Sequence, residues 1–333
     1  MLDPETPEAV PLRVLDLHKT FGCGAKAKDV LKGLTFEVQP AQVVSLLGAN
    51  GAGKTTLVNI ASTLMLPTAG TVTVCGADVV TQARAVREVI SLTGQFAAVD
   101  GELTGRENLV FFARLNGLSR RRAKQRADEL LERFRLADVG NQRVARYSGG
   151  MRRRLDIAAS LIVEPRLLFL DEPTTGLDPL SRRELWEMVE ELRDQGVAVL
   201  LTTQYLDEAE RLSDDIVLLR EGVKVAQGSP SELRRRFGAP ICRIAVDGQN
   251  HLGRIAATVL PSILGRPTDD FVVDGLEICF TANHGMDDLV AAAGAIASET
   301  GAQIVQASLN PPSLDDVFLG TAFAPRAELV ERV

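Results

Sequence analysis

Residues 11–238 alternate short apolar runs with helix-compatible stretches, the rhythm of an α/β domain. Val43–Leu47 is an apolar run with two β-branched members that breaks at Gly48 into a glycine-rich turn, and a helix is predicted over Lys54–Leu64. Leu167–Leu170 and Val197–Thr202 are continuous apolar runs, which predicts strands buried on both faces. Ala123, Ala127, Leu130 and Phe134 recur at three- and four-residue spacing behind Ser119, predicting a capped amphipathic helix over Ser119–Phe134. Thr104 and Glu107 have capping-box spacing and should open the preceding helix. Ser229-Pro-Ser-Glu232 places a cap, a first-turn proline and a reciprocal glutamate before a short helix that should end at Gly238. Beyond Ala239-Pro240, Ile241–Val246 and Phe271–Thr281 alternate as half-exposed strands, and Met286–Ser298 reads as a helix. The expected organisation is a main domain over 1–238, with a helical subdomain at about 96–160, then a small α+β domain over 239–320 and a tail over 321–333.

At 45% hydrophobic and 24% charged residues, composition fits a folded globular chain of about two domains. A net charge of −7, from 37 Lys+Arg against 44 Asp+Glu, argues against a broad nucleic-acid surface. The apolar stretch Leu289–Ala297 falls far short of the ~20 residues needed to cross a bilayer. The N-terminus carries acids and prolines where a secretory signal needs positive charge and then an apolar run. Cys23, Cys75, Cys242 and Cys279 lie far apart with no CxxC pair, as expected of inert thiols in a reducing compartment. The expectation is a soluble, cytoplasmic chain.

The glycine-rich turn, Gly48-Ala-Asn-Gly-Ala-Gly-Lys-Thr55, has the spacing GxxxxGK[ST]. Glycines let main-chain N–H groups approach phosphate where a β-carbon would clash. The nucleotide site is therefore assigned to Gly48, Asn50, Gly51, Gly53, Lys54, Thr55 and the following Thr56, with Lys54 bridging β- and γ-phosphates and Thr55 ligating Mg²⁺. The helix starting near Gly53 aims its positive end at the same anion. A bare glycine turn is the competing reading, and the strand before it and helix after it argue against that. Leu167-Leu-Phe-Leu-Asp171-Glu172 ends a predicted central strand in two carboxylates, at the end of the sheet where open α/β folds bind ligands. Asp171 suits the Mg²⁺ shell and Glu172 suits polarising an attacking water. Taken alone, the same acids could merely cap the helix that Pro173 begins.

Tyr147-Ser148-Gly149-Gly150-Met151 lies between these elements, and with it the stretch Leu12–Gly238 resembles the nucleotide-binding subunits of ABC transporters. The resemblance implies an ABC-type P-loop NTPase core with a β-subdomain and a helical subdomain. It assigns Gln95 to the Q-loop and to Mg²⁺, Ser148–Gly150 to the signature motif, Asp178 to the D-loop, and Phe21 to stacking on adenine. Tyr147 and Met151 replace the common leucine and glutamine. The strings TGQFAAVDGELTGRENL, YSGGMRRRLDIAASL, LLTTQYLDEAE and PSLDDVFLGTAF are similar to the drug-exporter branch typified by daunorubicin/doxorubicin resistance. Gln204 stands where most of the family has histidine. Glutamine can donate a hydrogen bond to a γ-phosphate but is neither acid nor base at ordinary pH, which leaves proton handling to Glu172 or to solvent.

The resemblance further implies that two copies meet head to tail, with Ser148 and its glycines capping the phosphate held by Lys54 and Thr55 of the other copy. The chain is expected to be the ATPase of a multi-chain exporter of drugs, antibiotics or lipids. It would be a homodimer docked on a separately encoded permease at the cytoplasmic face of the membrane, with ATP and Mg²⁺ as cofactors and no nucleic acid. The residues after Gln95, 96–108, would transmit closure to the permease. An importer ATPase, or a soluble ATPase acting on ribosomes or nucleic acid, is the alternative. Arg120–Arg122 with Lys124 and Arg126 read as a solvated helical face, and Arg152–Arg154 either as phosphate contacts or as salt bridges within the helical subdomain. Leu314, Val317 and Phe318 make an apolar face suited to docking on the chain's own C-terminal domain or on a partner.

Overall fold

The computed structural model describes residues 9–94, 98–237, 240–248 and 252–310. The chain divides into two compact units, with the break after Pro230, eight residues before the boundary expected at Gly238. The first unit runs β1 (Leu12–Phe21), β2 (Lys28–Val38), β3 (Val43–Leu47), α1 (Lys54–Ala61), β4 (Ala69–Val74), β5 (Ala77–Asp78), α2 (Ala83–Val89) and β6 (Ile90–Thr93). It continues through α3 (Gly105–Leu115), α4 (Arg120–Arg133), α5 (Gly149–Ser160), β7 (Leu167–Asp171), α6 (Pro179–Asp194), β8 (Ala198–Thr203), α7 (Leu206–Leu212), β9 (Asp215–Arg220) and β10 (Val223–Gly228). Helix α8 (Pro230–Phe237) starts at the proline the cap spacing marks.

A six-stranded sheet of order β10-β9-β3-β8-β7-β6 forms the centre, parallel throughout except for the β9–β10 hairpin. Its apolar runs are uninterrupted because both faces are covered. On β7 and β8, Leu167, Phe169, Ala198 and Leu200 pack toward α1 and the second, antiparallel sheet β2-β1-β4-β5. The alternate residues Leu168, Leu170, Val199 and Leu201 pack toward α3, α4, α5 and α6. Strand β3 therefore delivers its last residue, Leu47, into the glycine turn, and β7 delivers Asp171 beside it, with β8 between them.

Helix ends follow the sequence closely. Thr104 Oγ1 accepts from the Glu107 N–H at 3.1 Å while Glu107 Oε2 accepts from the Thr104 N–H at 2.8 Å, completing the capping box. Ser119 caps α4 through the Arg122 N–H. Helix α1 ends at Ala61, short of the expected Leu64, because Ser62 closes it and Thr63 takes a left-handed φ of 67°. The stretch 96–160 holds α3, α4 and α5.

The second unit contains β11 (Ile241–Val246), a helical run of α9 (Leu252–Arg254), a π-turn segment Ile255–Val259 and α10 (Leu260–Leu264), then β12 (Val272–Asp274), β13 (Glu277–Thr281), α11 (Met286–Thr300) and β14 (Ile304–Asn310). Its antiparallel sheet has the order β12-β13-β11-β14, with a core of Ile244, Ile278, Phe280, Ala292 and Ile296. The single strand expected over Phe271–Thr281 is a hairpin, because Gly275 turns the chain at φ 60°. The apolar face of Leu314, Val317 and Phe318 lies outside the described residues.

Candidate active site

Gly48 leaves β3 where a β-carbon would lie 2.4 Å from the Leu219 carbonyl oxygen, so only glycine fits there. Gly53 adopts φ 108° at the N-cap of α1, with Leu31 Cδ2 2.7 Å from where its β-carbon would be. The loop between them folds back on itself and turns Lys54 inward. Lys54 is only 4% exposed, its Nζ donating to the carbonyls of Gly48 at 2.7 Å and Ala49 at 3.3 Å and standing 3.6 Å from Glu172 Oε1. Burial pushes this ammonium below its usual pKa, while the charges of Glu172 and Asp171 pull it back. A basic group held by carbonyls and a carboxylate can exchange those partners for phosphate oxygens without leaving the pocket.

Thr55 Oγ1 donates to Asp171 Oδ1 at 3.3 Å, and Thr202 Oγ1 donates to the same oxygen. A hydroxyl and a carboxylate converging at a helix N-terminus are the hard oxygen donors that suit Mg²⁺. Among the described residues there is no cluster of three or more His, Cys, Asp and Glu that could hold a metal ion. Glu172, the residue after β7, has φ 46°, and its N–H bonds both Thr202 O (3.1 Å) and Thr202 Oγ1 (3.0 Å). The turn is thereby locked with the carboxylate aimed at Lys54.

A cavity of about 310 Å³ is lined by Asn50, Gly51, Gly53, Lys54, Thr55, Thr56 and Glu172, together with Lys28 and Val30. The last two belong to β2 and were not singled out in the sequence, where an alternating edge strand carries no chemical mark. Phe21 pairs with the lining residue Lys28 in the β1–β2 register; its ring is 40% exposed, with Lys19 Nζ 5.0 Å from its centroid. Gln204 follows β8 directly, one strand from Asp171 in the parallel register. Gln95 lies outside the described residues.

Ser148, Gly149, Gly150 and Asp178 do not line this cavity. Ser148 caps α5, accepting from the Met151 N–H at 3.2 Å, and it and Gly149 are exposed. Asp178 caps α6, accepting from the Ser181 N–H at 2.9 Å and the Ser181 hydroxyl at 2.7 Å, and these bonds hold its carboxyl below the usual range. The first turns of the two helices touch: a β-carbon on Gly150 would lie 2.2 Å from Ser181 Oγ and 2.6 Å from Ser181 Cβ. Gly150→Ala is therefore expected to destabilise the chain by about 1–3 kcal/mol through overpacking, and Ser181→Gly in the same chain should restore most of the loss. Thermal unfolding of the single and double variants checks this, and an unrescued double variant would refute the contact as the cause.

Tyr147, one of the two departures from the common motif, has a packing reason. Tyr147 is buried and donates through its hydroxyl to Val139 O at 2.8 Å, against Gly105, where a β-carbon would lie 2.3 Å from that hydroxyl. Arg152 bonds Tyr147 O (3.2 Å), Arg154 pairs with Glu184 (3.3 Å), and Arg153 turns inward among backbone carbonyls. In the basic run, Arg126 bonds the carbonyls of Leu161 and Ile162 at the end of α5, so this residue is a helix tie and not part of a solvated face.

Glu208 on α7 is fully buried, and burial raises its carboxyl pKa, with the hydroxyls of Thr203 and Thr174 and the Trp186 indole pulling partway back. A raised folded-state pKa means that the ionised form opposes folding. That penalty is present at neutral pH and is relieved as pH falls through the folded value toward the usual carboxylate range. Glu208→Gln is accordingly expected to unfold at an equal or higher temperature than the parent at pH 8, with the difference narrowing as the pH falls toward the usual carboxylate range. Parallel melting profiles across that range would count against it.

This geometry defines a P-loop ATPase: a lysine in a glycine cradle, a hydroxyl beside a strand-end aspartate, and a glutamate poised next to both. Residues 31–175 match the family model described as ABC transporter. The chain is 45% identical over 318 residues, 95% of either protein, to "Doxorubicin resistance ATP-binding protein DrrA" of Mycobacterium tuberculosis. It is 48% identical to "Daunorubicin resistance ATP-binding protein DrrA3" of Streptomyces coeruleorubidus over 88% of this chain and 90% of that one. A solved "ATP binding subunit of ABC transporter" superposes with a TM-score of 0.59 at 34% identity, covering 68% of this chain and 93% of that one. The chain belongs to the ATP-binding subunits of ABC transporters, and it is an ATPase. No helix among the described residues is long and apolar enough to cross a membrane.

Proposed function

We propose that two copies of this chain clamp ATP between the glycine cradle of one and the Ser148 tip of the other, and that this closure drives a separate membrane permease exporting drug-like compounds. The observation that carries it is the division of the site: Lys54, Thr55 and Glu172 line one cavity, with Asp171 behind Thr55, while Ser148 and Gly149 stand exposed on another element outside it. A serine and glycine N–H groups at a helix start suit an anion, and here they do not line the cavity that holds Lys54. The names of the relatives favour a transport ATPase of the resistance type over one acting on ribosomes.

Phosphoryl transfer is mainly positioning and charge stabilisation. Lys54 holds the β- and γ-phosphates, Phe21 stacks on the base, and Glu172 accepts the proton of the attacking water. Gln204 donates a hydrogen bond toward the γ-phosphate, and Gln95 and Asp178 complete the site beside the nucleotide and across the dimer. Thr55 and Asp171 would hold Mg²⁺, which when bound neutralises phosphate charge. The chain works at the cytoplasmic face of the membrane as a peripheral subunit.

The test is molecular mass in solution with and without a non-hydrolysable ATP analogue, alongside isolation from native membranes. A dimer that forms only with nucleotide, copurifying with a multi-span membrane protein, is expected. A chain that stays monomeric in saturating analogue with that membrane protein present would defeat the proposal.

A further inference from the structure

Arg153 and Asp156 form a buried pair on α5 that the reading above leaves without a task, their side chains 9% and 5% exposed and 3.4 Å apart. The Arg153 guanidinium spends its donors on backbone carbonyls from two distant segments. Nη2 donates to Asp171 O at 3.2 Å and Nε to Pro173 O at 3.0 Å, the residues on either side of Glu172. Nη1 donates to Gly94 O at 2.7 Å, and Asp156 Oδ1 accepts from the Ala98 N–H at 2.7 Å. One ion pair thus grips the chain on both sides of Glu172 and at both flanks of residues 95–97. It does so from the helix whose first turn bears Ser148, five residues before Arg153.

We propose that Arg153 is a positioning residue for Glu172, holding the turn that carries this carboxylate in fixed relation to the helix that presents Ser148. Glu172 needs such a hold because a glutamate at φ 46° sits in the left-handed region that L side chains rarely adopt, and such a conformation persists only where its surroundings over-determine it. The planar fork of arginine reaches the carbonyls before and after Glu172 at once, which the single ammonium of lysine cannot reproduce. Asp156 keeps the fork in place and neutralises it, since burial opposes the charge on both partners. The arrangement also gives α5 a mechanical meaning. A displacement of the Ser148 tip on meeting a second copy moves the Arg153 fork, and with it the peptide groups that aim Glu172.

This inference rests on Glu172 being the general base, and the experiment separates the two. Arg153→Lys is expected to lower kcat by about 10- to 100-fold, the scale of a misplaced catalytic group, while the Kd for ATP stays within about threefold. In a Glu172→Gln background the same change should cost no more than about twofold in single-turnover rate, because residues acting as one unit are not additive. A buried arginine that only stabilised the fold would instead lower both backgrounds alike. Should Arg153→Lys fail to fold, Asp156→Asn, which keeps an acceptor for the Ala98 N–H but frees the fork, carries the same expectation at smaller size. A kcat within twofold of the parent, or equal losses in the two backgrounds, overturns the role of Arg153 and leaves that of Glu172 standing. Undiminished hydrolysis in Glu172→Gln alone removes the general base, and this inference with it.

Discussion

Glu172→Gln is expected to slow ATP hydrolysis by about 10²–10⁴-fold while ATP still binds. The substitution keeps size and the acceptor oxygen that faces Lys54 Nζ at 3.6 Å, so the phosphate cradle is left in place. It also leaves the backbone bonds from the Glu172 N–H to Thr202 untouched, so the φ 46° turn survives. The amide cannot take a proton from water at ordinary pH, and Gln204 cannot substitute for it for the same reason. None of the three histidines in the chain, His18, His251 and His284, lies near Gln204 in sequence to take over. Phosphate release in steady state, set against equilibrium binding of a fluorescent ATP analogue, separates chemistry from affinity. Hydrolysis unchanged by the substitution would eliminate Glu172 as the base.

Much of the site was legible in the sequence because its parts are local. Gly48–Thr55 and Leu167–Glu172 each carry their chemistry within eight residues, and the continuous apolar runs before them report strands covered on both faces. The antiparallel sheet was harder to place. Strand β1 loses its alternation where Asp16 takes φ 46° and the pairing with both β2 and β4 slips register, so its apolar residues do not follow a period of two. Lys28 and Val30 sit on β2, an edge strand whose residues carry no chemical mark in the sequence, so only the folded chain brings them to the cavity. Arg153 was legible only as one of three adjacent arginines, because its partners are carbonyls 18 to 59 residues away, to which sequence spacing is blind. The contact of Gly150 with Ser181 is equally non-local, and it shows that the signature glycine serves packing in its own chain besides any anion it meets.

These non-local contacts converge on one helix. The start of α5 bears Ser148 and Gly149 on the surface, its second residue packs on Ser181 in the first turn of α6, and its fifth residue grips the turn of Glu172. The exposed Ser148 tip and the residue that grips the Glu172 turn are therefore separated by little more than one helical turn, about 5.4 Å of rise. That spacing explains why the sequence from Ser148 to Asp156 holds so many groups without a solvent-facing task.

Lys54→Ala is expected to weaken ATP binding by about 2–5 kcal/mol, the cost of truncating one partner in a buried charged network. At 4% exposure the ammonium is the cation standing between Glu172 and the carbonyls of Gly48 and Ala49. Its removal leaves those carbonyls without this donor and takes the opposing charge away from Glu172 and Asp171, so the pocket presents negative charge to a polyanion. Glycine N–H groups and the α1 N-terminus still favour phosphate, which is why binding should weaken and not vanish. Lys54→Arg restores the charge but brings a planar fork into a cradle shaped around a single nitrogen, and it should recover only part of the affinity. Titration of a fluorescent ATP analogue into both variants, with far-ultraviolet circular dichroism to confirm the fold, gives the comparison. An alanine variant that binds ATP as tightly as the parent would mean that the phosphates sit elsewhere than against Lys54.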